Sequence, residues 1–557
     1  MTIRQTFLLA VMSTVAILGI SCATVPDVQS IKDKETHDVS FTILQINDVY
    51  KIEGLEGGRI GGIARVRTLR KQLEAEGKRV IVLHAGDLLY PSVMSKYLRA
   101  QPMVKTLNLL DGGPASFDRD FIVTFGNHEF DNKDPGILLG RMAQSDFSWV
   151  SSNVRYRSVK ESPGGPFSNR LKNVHDEMVL DVEGARIGIF GITIDSQRRD
   201  YVDYDYGDID ARSAAVRKAL DCLKAEGADM VIALTHQDFD QDIQLAKDFP
   251  EIDLIVGGHE HFYIQDRVKR TWITKADSDA QSAIVYDVLV SPNKPVEVSP
   301  RKVMIGPDIG KDPTVDKEVN VWLGKLSKES GKQTGRDLME EIGSTKYILE
   351  GVETAIRGRE TALGNFLADV IRDRMKTDLA FVNGGSVRIN DNIPPGPIRN
   401  YDMEGIFYFD NKLVSFELTG AEILDILRNS VSKAHLGDGR FLQVSGIRFK
   451  YHAKGKNRDI TYRIEAEDVE IKPQGSTSYV PLAPDQKYTT GASDFIWKDG
   501  YSDGYTIFSK GNNGTSPELI ESDPNIKFRK SAEEAIAAFP DRTVTTQIEG
   551  RIVKVEG

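Results

Sequence analysis

The sequence predicts an α/β sandwich followed by a second, smaller α/β domain, and three observations predict it. Short apolar or β-branched runs at residues 41–46, 80–83 and 121–125, and near 148–151, 187–192, 230–235 and 254–256, read as buried strands. Helical spacing fills the intervals: Ile63, Val66, Leu69 and Leu73 mark one helix face, and 214–225 shows the same period. Strand, polar end, helix, strand is the rhythm of an open α/β sheet. Finally, Val319, Trp322, Leu323 and Leu326 fall at helical spacing before a polar, glycine-containing stretch that runs to about residue 340. This marks a connecting helix and a domain boundary. Beyond it, helices near 363–376 and 421–432 and strands at 379–382 and 413–418 build the second domain.

A chain of 557 residues is too long for one core. Its 40% apolar and 27% charged residues are those of a globular protein. The net charge of -11 argues against nucleic acid as the main partner, so a phosphate-bearing substrate must be held by local charge, from metals and a few arginines. Arg4, an apolar run from Phe7 to Ile20, and small residues before Cys22 read as an export signal. The segment Leu18-Gly19-Ile20-Ser21-Cys22 resembles a bacterial lipoprotein box, which implies lipidation at Cys22 and anchoring of an exported, periplasmic or outer-surface protein. Gly19 departs from the aliphatic residue usual there, and an ordinary cleaved signal is the alternative. Cys222, the only other cysteine, sits in a helical pattern and reads as a small buried residue.

Polar residues recur at the carboxyl ends of the strands, the rim where open α/β sheets bind ligands. Asp48, Asp87, Asn127, His236, His259 and His261 offer carboxylate, amide and imidazole donors without thiolate, a set that suits Mn, Zn, Fe, Co or Mg. Six candidates fit two divalent ions about 4 Å apart, sharing one carboxylate, better than a single ion. His128 can act as an acid or as a clamp on an anion, with Asp131 near enough to hold its imidazole in one tautomer. A lone Asn-His pair would more simply be a capped turn. Recurrence at five strand ends favours the metal.

Gly86-Asp87, Gly126-Asn127-His128-Glu129, Thr235-His236 and Gly257-Gly258-His259-Glu260-His261, in that order, resemble the calcineurin-like metallophosphoesterases. Asn47-Asp48 and Ser151-Ser152-Asn153-Val154 narrow the resemblance to the 5'-nucleotidases. It implies a four-layer αββα catalytic domain at 40–310, after a signal at 1–22 and a tether at 23–39. A linker helix at 311–340 and a nucleotide-binding domain at 341–557 would follow. One ion would take Asp48, Asp87 and His261, the other Asp87, Asn127, His236 and His259, with His128 and Asp131 as the catalytic dyad. The family usually has Asp-x-His where this chain has Asp48-Val49-Tyr50. Tyr50 could ligate as a phenolate, leave the site one ligand short, or simply pack. Gly86-Asp87-Leu88-Leu89-Tyr90 resembles the purple acid phosphatases, which makes Tyr90 a second uncertain ligand.

In the second domain, Arg359-Glu360-Thr361-Ala362-Leu363-Gly364-Asn365 and Asn383-Gly384-Gly385-Ser386-Val387-Arg388 resemble the C-terminal domain of the 5'-nucleotidases. The resemblance implies that Arg359 and Arg388 hold phosphate, Asn383 bonds the nucleoside, and Phe409 and Phe495 stack the base. It also implies that Asp503 binds the ribose; Asp-Gly-Tyr occurs at both 499–501 and 503–505, and the second continues as the family does. The expected reaction is hydrolysis of nucleoside 5'-monophosphates by metal-activated hydroxide. UDP-sugar or 2',3'-cyclic nucleotide hydrolysis is an alternative on the same scaffold, and a non-catalytic surface lipoprotein is one from another class. Oligomeric state is not legible in the sequence.

Overall fold

The computed structural model describes residues 37–556, apart from 114–115, 159–163, 197–198, 207–208, 456–459 and 509–515. The expected signal, Cys22 and most of the tether lie outside the described residues. Along the first domain run β1 (Val39–Ile46), β2 (Val80–His84), β3 (Asp118–Thr124), β4 (Phe147–Val150), β5 (Val174–His175), β6 (Glu177–Val182) and β7 (Ala185–Thr193). They are followed by β8 (Met230–His236), β9 (Leu254–Gly258), β10 (Ile264–Val268), β11 (Thr271–Lys275), β12 (Ser282–Val290) and β13 (Glu297–Met304). One sheet has the order β13-β12-β1-β2-β3-β4-β5 and the other β10-β11-β9-β8-β7-β6. In the first sheet β1 to β5 run parallel and β12 and β13 are antiparallel additions beside β1; in the second β7, β8, β9 and β11 run parallel between antiparallel edge strands. The carboxyl ends of β1, β2, β3, β8 and β9 meet at one rim.

Alternate side chains of the inner strands serve two different cores, which is why those strands read as unbroken apolar runs. Phe41, Ile43, Ile81 and Ile122 of one sheet meet Ile187, Ile232 and Val256 of the other between the layers. Leu44, Ile46, Val82 and Phe121 face outward with residues of α1 (Ile63–Glu74), α2 (Val93–Leu98) and α3 (Gln101–Leu107). On the far side Phe190, Ala233 and Ile255 pack with α4 (Ile209–Ala225) and α5 (Phe239–Asp248). The result is four layers, αββα. Cys222 is buried on α4.

Asp312 caps α6 (Pro313–Thr334), accepting from the N–H groups of Thr314 and Val315 at 3.0 and 3.2 Å, and Gly335 ends it at φ 72°. Val315, Val319, Trp322 and Leu326 join the core under α1 to α3, so this connecting helix is also part of the first domain's outer layer. The second domain contains α7 (Glu353–Ile356), α8 (Ala362–Met375), β14 (Leu379–Asn383), β15 (Leu413–Thr419), β16 (Leu442–Ser445), β17 (Lys487–Ser493) and β18 (Leu519–Glu521), in sheet order β16-β14-β17-β15-β18. Here too the two faces of β14 enter different cores, Leu379 and Phe381 on one side, Ala380 and Val382 with α8 on the other. The domains meet through Lys51–Asp391 at 2.9 Å, Lys96–Glu404 at 3.1 Å and the Tyr97 hydroxyl on Glu404 at 2.9 Å. Among the described residues no helix is long and apolar enough to cross a membrane.

Candidate metal centre

The rim of the first domain is built by close backbone approach. Asp48, Asp87, His259 and His261 all have positive φ, at 53°, 58°, 93° and 63°, a conformation that costs of order 1–3 kcal/mol each and persists only where the surroundings enforce it. Asn47 enforces it at Asp48: its side chain donates to Ala276 O at 3.0 Å and accepts from Ala276 N–H at 2.8 Å, while also donating to Asp48 Oδ2 at 2.7 Å. Buried Glu129 does the same for Asp87, accepting from the N–H groups of Asp87, Leu88 and Leu89 at 2.8–3.0 Å and from that of Gly126. Burial, with Asp87 beside it, pushes Glu129 up to about 7. A side chain at Gly126 would put its Cβ 2.0 Å from Asp87 Oδ1, and one at Gly258 would meet Ala85 O at 2.3 Å.

These loops bring ligand atoms of Asp48, Asp87 and His236, all buried, within 4.8 Å of one another. His236 Nε2 lies 3.3 Å from Asp87 Oδ2 and 3.2 Å from Asn127 Oδ1, and its Nδ1 donates to Ala85 O at 2.7 Å. That bond leaves Nε2 facing the carboxylates. His261 Nε2 is 3.3 Å from Asp48 Oδ1. The His259 ring stands 5.1 Å from that of His236, with Nε2 3.3 Å from Asp238. The sequence-predicted ligands thus converge on one rim. Burial raises the Asp87 pKa, but His236 and His128 outweigh it and hold the carboxyl well below the usual range. Burial lowers His236, yet Asp87 and Asp48 bring it up to about 9. Two buried carboxylates therefore draw positive charge onto the imidazoles, charge that a divalent cation would supply; the donor set fits hard or borderline ions.

Tyr50 does not simply pack. Its hydroxyl donates to Asp87 Oδ2 at 2.8 Å and lies 3.3 Å from Asp48 Oδ1 and 2.9 Å from His261 Nε2. Tyr90, the other uncertain ligand, packs instead: its hydroxyl accepts from Asn132 Nδ2 at 3.1 Å, and among the described residues it makes no hydrogen bond to the ligand cluster. The turn after β2 carries its ring into the apolar core beneath α2. His128 donates its backbone N–H to Asp87 Oδ1 at 2.8 Å, and its Nδ1 pairs with Asp131 Oδ2 at 2.9 Å. Burial lowers the His128 pKa, but Asp87 and Asp131 raise it above the ordinary value.

The second domain reaches this rim with residues that sequence reasoning passed over. Glu353, on α7, bonds His261 Nδ1 through Oε2 and Arg357 Nη2 through Oε1. Arg388 Nη1 lies 3.6 Å from the same Oε1, and its charge also acts on His128. Arg359 is a correction: it is exposed and paired with Glu350 at 2.7 Å, not turned toward the rim. Arg357 follows Glu353 by four residues and so shares its face, whereas Arg359 comes after Gly358 has turned the chain. That i,i+4 pairing was the available signal. Asn383, at the carboxyl end of β14, has a buried Oδ1 with no partner among the described residues, an acceptor placed for a ligand donor. Burial raises Asp503, with Asp438 alongside, against the pull of Arg440 and Arg357. Phe409 is 48% exposed with its ring against Tyr408, Phe495 rests on the core, and no ring contact joins Phe409 to Phe495.

Two family models match, calcineurin-like phosphoesterase over residues 41–263 and 5'-nucleotidase, C-terminal domain over residues 341–510. The trifunctional nucleotide phosphoesterase of Bacillus subtilis is 25% identical over 92% of this chain, which spans 35% of that protein's length. The snake venom 5'-nucleotidase of Naja atra is 24% identical over 86% of this chain and 94% of its own length. The 5'-nucleotidase precursor from Thermus thermophilus superposes with a TM-score of 0.69 at 24% identity, covering 93% of this chain and 99% of that one, and so shares the fold. A calcineurin-like rim with its ligand cluster, followed by a separate C-terminal domain of matching type, identifies the chain as a member of the 5'-nucleotidase family of metal-dependent phosphoester hydrolases.

Proposed function

We propose that this protein hydrolyses nucleoside 5'-monophosphates to nucleoside and phosphate at a pair of divalent ions. One observation carries the reading: Arg357 and Arg388 of the nucleotide-binding domain stand at the ligand rim, held there by Glu353 against His261. Asp48, Asp87 and His261 would hold one ion and Asp87, Asn127, His236 and His259 the other. Such a pair, when bound, supplies a nucleophile from water at neutral pH and a clamp on phosphoryl oxygens. The chain's own groups do the rest. The two arginines orient the phosphate and offset its charge. His128, fixed by Asp131, stabilises the charge that develops on the leaving oxygen. Asn383 and Asp503 meet the nucleoside, and Phe409 and Phe495 flank the base.

A wider range of phosphoesters has one finding in its favour, that the Bacillus relative is named a trifunctional nucleotide phosphoesterase. The apolar N-terminal run and Cys22 support export with a lipid anchor. The test is phosphate release by protein lacking residues 1–22, after metal stripping and re-addition of Mn, Zn, Fe, Co or Mg. AMP, UMP, UDP-glucose, 2',3'-cyclic AMP and p-nitrophenyl phosphate would be compared. Metal-dependent release from AMP and UMP, reduced at least 100-fold in His128→Ala, is the expected result. No release from any substrate with any ion would overturn the reading.

A further inference from the structure

We infer that Glu353 is a positioning residue of the metal centre, supplied by the second domain, so that the ion site built on Asp48, Asp87 and His261 is complete only when the two domains are docked. The inference rests on the metal-centre reading and extends it across the domain boundary. Glu353 is 7% exposed in its side chain and makes charge-assisted contacts through both oxygens, to His261 on one side and to Arg357 and Arg388 on the other. Because His261 gives its Nδ1–H to this carboxylate, Nε2 is the nitrogen left to face Asp48, 3.3 Å away. A carboxylate behind a ligating imidazole fixes the ring and the tautomer and increases its donor strength. In this chain the carboxylate belongs to the other domain.

The backbone of Glu353 is anchored as firmly as its side chain. Its N–H donates to Asn390 Oδ1 at 3.1 Å, and Asn390 Nδ2 donates to Asp279 Oδ2 at 2.9 Å. Asp279 Oδ1 in turn accepts from the N–H groups of Tyr50 and Lys51 at 2.8 and 2.9 Å, and its own N–H donates to Asp48 O at 2.9 Å. The Ser278 N–H donates to His261 O at 3.0 Å. Two routes therefore run from α7 to the loops that carry Asp48 and His261, one through the carboxylate and one through Asn390. A negative charge behind the ring also attracts a divalent ion in its own right. The same carboxylate steadies Arg357 and Arg388, so the groups facing the phosphate and one ligand of the ion share a single support.

The experiment is a titration of metal-stripped protein, lacking only residues 1–22, with Mn²⁺ in competition with a chromophoric chelator. Glu353→Gln, which keeps volume and one acceptor but loses the charge, should weaken one of two binding steps about 10-fold. Glu353→Ala should weaken that same step by up to about 100-fold, and the other step should not change in either variant. A residue that merely held the fold would weaken both. Should the Glu353 variants fail to fold, Asn390→Ala loosens the backbone anchor while leaving the Glu353 carboxylate and its partners in place, and should weaken the same step. Parent-like binding of both ions by folded Glu353→Gln, or by Asn390→Ala in that case, overturns the inference. His261→Ala separates the two levels of the argument: if it too leaves both steps intact, the metal-centre reading itself has failed.

Discussion

Replacing Arg357 and Arg359 separately tests which guanidinium meets the substrate. Arg357 is mostly buried, bonded to Glu353 and next to Arg388, while Arg359 is 52% exposed in its side chain and pairs with Glu350. A hydrogen bond to a charged group contributes about 1.5–3 kcal/mol. At about 1.4 kcal/mol per factor of ten, Arg357→Ala should lower kcat/KM for AMP roughly 10- to 150-fold. Arg357→Lys keeps the charge without the planar fork and should fall between parent and alanine. Arg359→Ala removes an exposed ion pair of the kind that contributes about 0–1 kcal/mol to stability and should leave kcat/KM within a factor of about two. Steady-state phosphate release at saturating metal, with melting temperatures recorded for each variant, is the assay. A larger loss in Arg359→Ala than in Arg357→Ala would refute the assignment and return the phosphate contact to Arg359.

Two further outcomes follow from the same geometry. Gly126→Ala would drive a Cβ to 2.0 Å from Asp87 Oδ1, so Asp87 must move; weakened Mn²⁺ binding by titration and a loss of about 1–3 kcal/mol in chemical denaturation are expected. Glu404, bonded to Tyr97, Lys96 and Arg529, has its pKa lowered below the ordinary carboxylate value: burial raises it, and Arg529 more than offsets this. A lowered acid stabilises the folded chain above its unfolded pKa and loses that contribution as pH falls through the folded one. Glu404→Gln should therefore melt below the parent at pH 7, and the gap should close as the pH is taken below about 4; a gap that stays constant with pH would refute the ion-pair account.

The first domain was legible because its signals are local. Each strand that reaches the rim is a short apolar run with Asp, Asn or His at its carboxyl end, and parallel order within the two packed sheets then gathers those residues on one rim. The second domain's contribution was less legible because it depends on which way a side chain turns. Arg357 and Arg359 are two residues apart with a glycine between them, and composition cannot say which faces inward. Glu353 belongs to no stretch that drew notice, and its role depends on docking against a loop 92 positions earlier in the chain. Tyr90 is the opposite case. A likeness over Gly86 to Tyr90 to another phosphatase made it an uncertain ligand, but its hydroxyl is bonded to Asn132 and its ring lies in the core, as most tyrosines pack.

The support around the rim is unequal, and the inequality has a direction. Asp87 hangs on Glu129, whose four backbone donors come from the first domain alone. His236 is fixed by Ala85, and Lys275, buried between Asp242 and Glu260, braces the loop of His259, again within that domain. The ion held by Asp87, Asn127, His236 and His259 would thus sit in a frame that needs nothing from outside. His261 and Asp48 are different: one leans on Glu353, and the loop of the other is tied through Asp279 to Asn390, both in the second domain. Motion between the domains would therefore loosen one ion before the other. An enzyme built this way would keep one ion site within its first domain and complete the other where Arg357 and Arg388 of the second domain arrive.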